Sequence, residues 1–329
     1  MRTVPFQGPG GRLAGMESRG GVSGFPQPSR AGAGRQDAAE LRVLITGAGG
    51  QLGRELIRLR PPCVKTLART RAELDVTSWR AVEACCAEFR PDLIVNAAGI
   101  NALQAAECDP DTAFALNADA AANLARIASD GPRLIHISSN QVFADESGHR
   151  HQPDETPRPL SVFGASKSEG ESLVLGIAHQ RALVLRTAWL YSAYGDNCFT
   201  RIFRALSRGG ELFMPKYRHL TPTWAAGLAN AIWMTAFRPT LYGIHHWTDR
   251  GTASWYEFAA AIRDEAAALG LIAGRPRVRA ADDADEAAGD GSVLDNSPTW
   301  EALGTRSEHW RRALRTMLME MAEVTYAYA

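Results

Sequence analysis

Residues 41–53, LRVLITGAGGQLG, restrict what this chain can fold into more than any other stretch. Val43, Leu44 and Ile45 form a short apolar run bounded by turn residues, the pattern of a parallel strand buried on both faces. Thr46 opens a glycine series, Gly47, Gly50 and Gly53, after which residues 54–60 resume with helical composition. In such a strand–turn–helix the first glycine permits the tight turn, and the second lets a diphosphate approach the backbone. The third lets helix and strand pack closely. The helix start, at Gln51 and Leu52, adds unpaired N–H groups and the positive end of a dipole. Placed after a strand and before a helix, the triplet reads as a dinucleotide site rather than a plain structural loop.

Strand-like and helix-like segments then alternate. Residues 64–68, 92–98, 134–139 and 182–187 read as strands, and 78–89, 112–129 and 163–176 as helices. This βαβ alternation predicts an α/β fold, a Rossmann-type doubly wound parallel sheet with ligands at the carboxyl ends of its strands. Gly47, the Asn96–Ala97–Ala98 run and Ser138–Ser139 all fall at such ends. Beyond Thr187 the pattern loosens. Segments 197–207, 224–237, 254–269 and 307–324 look helical, 242–247 looks like a strand, and the acidic run 280–290 reads as a mobile loop. The expected division is a disordered leader over 1–40, a nucleotide domain over 41–190 and a smaller substrate lobe over 191–329. Within that lobe, about 224–247 returns to the nucleotide domain.

The leader is rich in Gly, Pro, Arg and Ser and cannot bury enough surface to offset its ordering entropy. An over-extended gene start, with Met16 or a later codon as the true one, is an equal reading; an organelle transit peptide is a weaker one. The 329 residues carry formal net charge 0 and are 45% hydrophobic, ample for a core. That balance points to neither nucleic acid nor an anionic membrane as partner, and no apolar run approaches the roughly 20 residues of a membrane span. Five cysteines without C-x-x-C spacing fit a reduced, cytoplasmic protein without structural zinc.

The second strand ends in Arg69-Thr70-Arg71, with no acid where a ribose 2′-hydroxyl would be bound. Arginine pairs with a 2′-phosphate, so NADP(H) is expected over NAD. Asp75 and Val76 follow at the distance where a carboxylate could meet an adenine amino group.

TGAGGQLGREL, RPDLIVNAAG, AECDPDTAFALNADAAANLA, RLIHISSNQVF, PLSVFGASKSEGE and RTAWLYS occur in this order, followed by LTPTWA, GIHHWTDRGTASWYEFA, SVLD and EHWRRALRTML. From Leu41 onward this set resembles the dTDP-4-dehydrorhamnose reductase family of extended short-chain dehydrogenases/reductases. The resemblance implies reduction of the 4-keto group of a dTDP-4-keto-6-deoxy sugar by NADPH, with a homodimer as the candidate assembly. It places cofactor contacts at Gly47, Gly50, Gln51, Leu52, Gly53, Arg69, Asp75, Val76, Ala97, Ala98 and Lys167, and sugar contacts at Asn101, Gln104, Gln141, Trp189 and Asn197.

Short-chain reductases use a Tyr-x-x-x-Lys pair whose i,i+4 spacing puts both side chains on one helix face. The lysine holds the nicotinamide ribose and favours the tyrosinate, while a Ser or Thr bonds the substrate oxygen. Carried over, these positions are Ser139, Lys167 and, for the tyrosine, Phe163, which has no proton to give. Ser161, Ser166 and a water on Lys167 are the candidate substitutes. Further departures are Ser139-Asn140-Gln141 in place of Thr-Asp-Tyr, Gln104-Ala105 in place of an Asp-Lys pair, and a missing Arg-Pro before SVLD. Some relatives bind magnesium at glutamates. Here Glu55 and Glu320 match and the third position is Ala226, so no metal site is expected.

Trp247 and Trp255 read as packing residues, His245 and His246 as structural, and His149 and His151 as loop residues without metal-ligand spacing. Two functions follow: an active reductase, or a catalytically impaired NADP-binding homologue acting as a regulatory or structural subunit. An epimerase or dehydratase is disfavoured, because those relatives also rely on the missing tyrosine.

Overall fold

Six short, mostly apolar strands lie edge to edge: β1 (Leu41–Thr46), β2 (Val64–Arg69), β3 (Leu93–Asn96), β4 (Arg133–Ser139), β5 (Ala182–Thr187) and β6 (Gly243–His246). All neighbours are parallel, in the order β2-β1-β3-β4-β5-β6. Every residue of β3 and β5 is buried, as expected of strands covered on both faces. The computed structural model describes residues 40–144, 149–217, 219–282 and 292–327.

Alternation along the strands splits the core in two. On one face Val43, Ile45, Leu93, Val95, Ile135 and Ile137 meet Leu52 and Leu56 of helix Gln51–Arg58 and Leu228, Ile232 and Trp233 of helix Ala225–Ala236. On the other, Leu44, Ile94, Leu134 and Val184 meet Val82 and Phe89, Leu124, and Val174 from helices Trp79–Phe89, Ala120–Ser129 and Val162–Ala178. Strand order reverses between β1 and β3, which opens a crevice at their carboxyl ends. A third cluster joins Phe199 and Ile202, Phe258 and Ile262, and Trp310 and Leu314, from helices Cys198–Ser207, Trp255–Ala268 and Trp310–Ala327. Trp247 packs in the first cluster and Trp255 against the third. Among the described residues no helix is long and apolar enough to cross a membrane.

Two expectations need correction. Instead of one helix over 112–129 there are helix Pro110–Phe114, a π-turn Ala115–Asp119 and helix Ala120–Ser129. The acidic run begins inside a strand, Val278–Ala281, paired in parallel with Leu212–Pro215; residues 283–290 of it lie outside the described residues. So do residues 1–39 of the expected leader.

Candidate active site

The glycine turn is shaped by sterics. Gly47 sits at φ 69°, and a Cβ there would lie 2.5 Å from the Ala97 carbonyl oxygen and 2.6 Å from the Ala98 nitrogen. At Gly53 a Cβ would lie 2.4 Å from the Gly47 oxygen, so helix and turn touch backbone to backbone. Gly50 lacks such a constraint, with only the Gly47 oxygen nearby at 3.3 Å. It caps helix Gln51–Arg58 with no side chain on the first amides. The buried Gln51 Oε1 has no protein partner. Bare amides above an open glycine suit a diphosphate. Gly53→Ala is expected to destabilise the fold by ~1–3 kcal/mol through overpacking, despite alanine's better helix propensity, as read by urea unfolding.

The neighbouring strand ends are tied together. Asn96 Oδ1 accepts from Thr46 Oγ1 at 2.8 Å and from the Ala98 N–H at 3.2 Å, and Asn96 Nδ2 donates to His136 Nδ1 at 3.0 Å. Burial, aided by the charge of Lys167, lowers the His136 pKa to about 3, so the ring is neutral. At the end of β2 the Arg69 carbonyl accepts from the Ala48 N–H at 3.0 Å, so Arg69 lies beside the glycine turn. Glu73, which was not singled out from sequence, holds the Thr70 N–H and hydroxyl at 2.9 and 2.7 Å and so shapes this loop. Asp75 Oδ1 accepts from the Thr77 N–H and hydroxyl, and the Val76 side chain is core.

Lys167 is 7% exposed, and its Nζ donates to the Ile137 carbonyl at 3.2 Å, two residues before Ser139. Burial lowers its ammonium to about 8, while Glu171 one turn on pulls the other way. The same nitrogen would lie 3.2 Å from a Cβ on Gly99. Asn117 also closes on Gly99: its Oδ1 accepts the Ile100 N–H at 3.1 Å and its Nδ2 donates to Ser166 Oγ at 3.0 Å. Sequence reasoning missed Asn117. Its signal was an asparagine in an alanine-rich helix, and the π-turn that aims it belongs to a class frequent at functional sites.

Phe163 is buried in a small plug with Ala106 and Ala113, flanked by Ile100, Leu103 and Val162. Of the two serines considered as substitute proton donors, Ser166 has its proton engaged, whereas Ser161 only accepts. Ser161 Oγ caps helix Val162–Ala178 through the Gly164 N–H at 3.0 Å, and buried Ser166 Oγ donates to the Phe163 carbonyl at 2.9 Å. Ser139 Oγ accepts the Gln141 N–H at 3.2 Å at the mouth of β4.

The expected sugar contacts divide. Asn101 and Gln104 are exposed around the start of helix Leu103–Cys108. Gln141 follows Ser139 in a 3-10 turn. Trp189 stands at φ 45°, a conformation that costs a non-glycine residue ~1–3 kcal/mol, with its ring edge-on to Trp255 at 4.4 Å. Asn197 is spent elsewhere: it caps helix Cys198–Ser207 through the Thr200 N–H and donates to the Ser192 and Tyr194 carbonyls. His245 and His246 have protein partners on both ring nitrogens.

The magnesium position does not suit a dication. Arg58 bridges the two glutamates, with Nε 2.7 Å from Glu55 and Nη1 3.3 Å from Glu320, and buried Ala226 offers only a methyl.

The profile of the family described as RmlD substrate binding domain matches residues 41–323. A dTDP-4-dehydrorhamnose reductase of Aggregatibacter actinomycetemcomitans is 32% identical, over 84% of this chain and 98% of its own. A probable dTDP-4,6-dihydroxy-2-methyloxan-3-one 4-ketoreductase of Streptomyces antibioticus is 37% identical, over 68% and 76%. Among solved structures, a dTDP-4-dehydrorhamnose reductase of Bacillus anthracis in complex with NADP superposes with TM-score 0.79 at 28% identity, covering 85% of this chain and 99% of that one. The chain therefore belongs to the dTDP-4-dehydrorhamnose reductase family.

Proposed function

We propose that this protein reduces the 4-keto group of a dTDP-4-keto-6-deoxy sugar at the expense of NADPH, with Lys167 supplying the proton that tyrosine supplies elsewhere. The observation that carries this reading is the placement of Lys167, buried with its Nζ on the Ile137 carbonyl two residues before Ser139, where burial also pushes its ammonium down to about 8. An acid is most effective when its pKa lies near the working pH. Gly47, Gly50, Gln51, Leu52 and Gly53 would hold the diphosphate, Arg69 the 2′-phosphate, Asp75, Val76, Ala97 and Ala98 the adenosine and its approach, and Lys167 the nicotinamide ribose. When bound, the cofactor supplies hydride. Ser139 Oγ orients the substrate carbonyl, and the Lys167 ammonium, directly or through one water, gives its proton to the developing alkoxide and is recharged from solvent. Asn101, Gln104, Gln141 and Trp189 line the sugar side; Asn197 contributes through the helix it caps.

The relatives named as reductases support this reading, as does the NADP-bound structure. The five unpaired cysteines fit a cytoplasmic setting. The assembly proposed is a homodimer, with exposed Phe213 and Tyr217 as contact aromatics, to be checked by light scattering.

Phe163, sealed in its apolar plug, favours a second reading: an NADP-binding subunit without turnover. One experiment separates the two. NADPH and NADH are titrated by calorimetry, and NADPH consumption with the keto sugar is then followed for wild type and Phe163→Tyr. The reductase reading expects tighter NADPH binding, turnover by wild type and several-fold faster turnover by the variant. Binding without turnover in wild type, restored by tyrosine, selects the second reading. Indifference to both cofactors removes both.

A further inference from the structure

His149 and His151 are two residues apart on extended chain, and the second belongs to the short strand Arg150–His151, paired in parallel with Val293–Leu294. That spacing puts both rings on one face. Sequence spacing shows no third donor, but the fold brings one. The chain turns at Gln152, with the Glu155 N–H donating to the Gln152 carbonyl at 3.2 Å, and this carries the Glu155 carboxylate under both imidazoles. His149 Nε2 lies 3.1 and 3.2 Å from its two oxygens, and His151 Nδ1 lies 2.9 Å from one of them.

We infer that His149, His151 and Glu155 form a binding site for a divalent transition metal of zinc's class, which clamps the 149–155 turn. The three donor atoms lie within 4.8 Å of one another. Tetrahedral zinc, with bonds of roughly 2.0–2.2 Å to nitrogen and oxygen, keeps its ligands about 3.3 Å apart, so the widest gap closes by ~1.5 Å at most. Two imidazoles and one carboxylate are a zinc-type set rather than a magnesium-type one, and three protein ligands leave a fourth position for water.

The surroundings are already built for it. The His151 ring, 2% exposed, is stacked on Phe143 with centroids 4.2 Å apart and planes 4° from parallel, which fixes where Nδ1 points. The two imidazole planes stand at 86°, so their nitrogens converge on the carboxylate from different directions. The Gln152 N–H donates to Glu155 Oε2 at 3.1 Å and orients the carboxylate from behind, as an outer-shell partner does. His149, 43% exposed, leaves the site open to solvent for the ion's entry.

The clamp faces the catalytic region through one ring. Phe143 directly follows the 3-10 turn Asn140–Val142 that carries Gln141, and Arg186 stacks on its ring at 4.7 Å. A metal on His151 would therefore stiffen one wall of the proposed sugar site without contacting substrate.

The full chain, stripped with a chelator, is titrated with zinc by calorimetry and thermal melting beside His149→Ala and Glu155→Gln, both at partly exposed positions. The expected result is one saturable site in wild type, weakened at least tenfold in each variant, and a zinc-induced rise in Tm that the variants lack and magnesium does not reproduce. Cobalt substituted for zinc should show visible bands without thiolate charge transfer. Equal affinity in wild type and variants, no saturable site, or a thiolate band from the cysteines overturns the assignment and leaves the cluster as a hydrogen-bonded turn.

Discussion

Lys167→Met is expected to cost ~10²–10⁴ in kcat at saturating NADPH, while the fold becomes more stable at neutral pH. The two effects share one origin. Burial depresses the lysine from 10.5 to about 8, so at pH 7 the folded chain keeps a charge in a place that penalises it. A depression of this size corresponds to a net penalty on the order of 3 kcal/mol. For a cation with a lowered folded pKa the penalty is present in full below about 8. It fades as pH rises from there towards the unfolded value of 10.5, so the variant's advantage should shrink over that window. The catalytic limb runs the opposite way: wild-type kcat should fall above about pH 8 as the acid loses its proton. Melting curves and a pH–rate profile of the wild type and variant check both. Turnover within a few-fold of wild type in Lys167→Met, or no alkaline limb near 8, would end Lys167's role as acid.

What the sequence disclosed follows the range over which each feature is determined. The strands and the glycine turn were legible because their causes are local: a short apolar run such as LIVN, rich in β-branched residues and bounded by Pro and Gly, favours a buried strand, and a Cβ at Gly53 meets the preceding turn itself. Helix ends came within a few residues because Ser78, Ser161 and Ser254 cap where the pattern places them. The π-turn at Asn117 was not legible. Its register is set by Ile100, Ser166 and the close approach of Gly170, whose Cβ would lie 2.2 Å from the Asn117 carbonyl oxygen, none of them neighbours in sequence. Asn197 shows the converse. Motif alignment marked it as a sugar contact, whereas the local rule that asparagine caps helices describes what its side chain does. The His149–His151–Glu155 cluster was hidden because the turn at Gln152 supplies the third donor.

Phe163 is the position at which motif and packing have to be weighed together. In a helix whose i,i+4 spacing still presents Lys167, the aromatic ring keeps its packing and loses only its hydroxyl. On the reductase reading proposed above, the acid has to come from another group. Ser166 has its proton on the Phe163 carbonyl and Ser161 accepts at the helix cap, and Lys167, buried beside the strand end that bears Ser139, is the acid proposed.

Glu171→Ala is expected to destabilise the protein by ~3–5 kcal/mol, a large share of the ~5–15 kcal/mol a domain possesses. Arg186 is fully buried on β5 and makes a two-pronged contact with Glu171, Nε to Oε1 at 2.9 Å and Nη2 to Oε2 at 2.6 Å. Its remaining partners are the Pro153 carbonyl at 3.2 Å, His246 Nε2 at 3.5 Å and the Phe143 ring, none of which neutralises a charge. Removing the carboxylate strands a guanidinium in the core, whereas Glu171→Leu combined with Arg186→Met removes both charges together. That double variant should recover most of the loss, because desolvating a buried pair offsets much of what the pair contributes. Urea unfolding of the two single variants and the double closes the cycle, and additive losses would show that the pair does not act as a unit. Glu171 also supports the charge of Lys167 from one helical turn away. In Glu171→Ala the alkaline limb of the rate profile should therefore move to lower pH, an effect that a purely structural role for the pair would not produce.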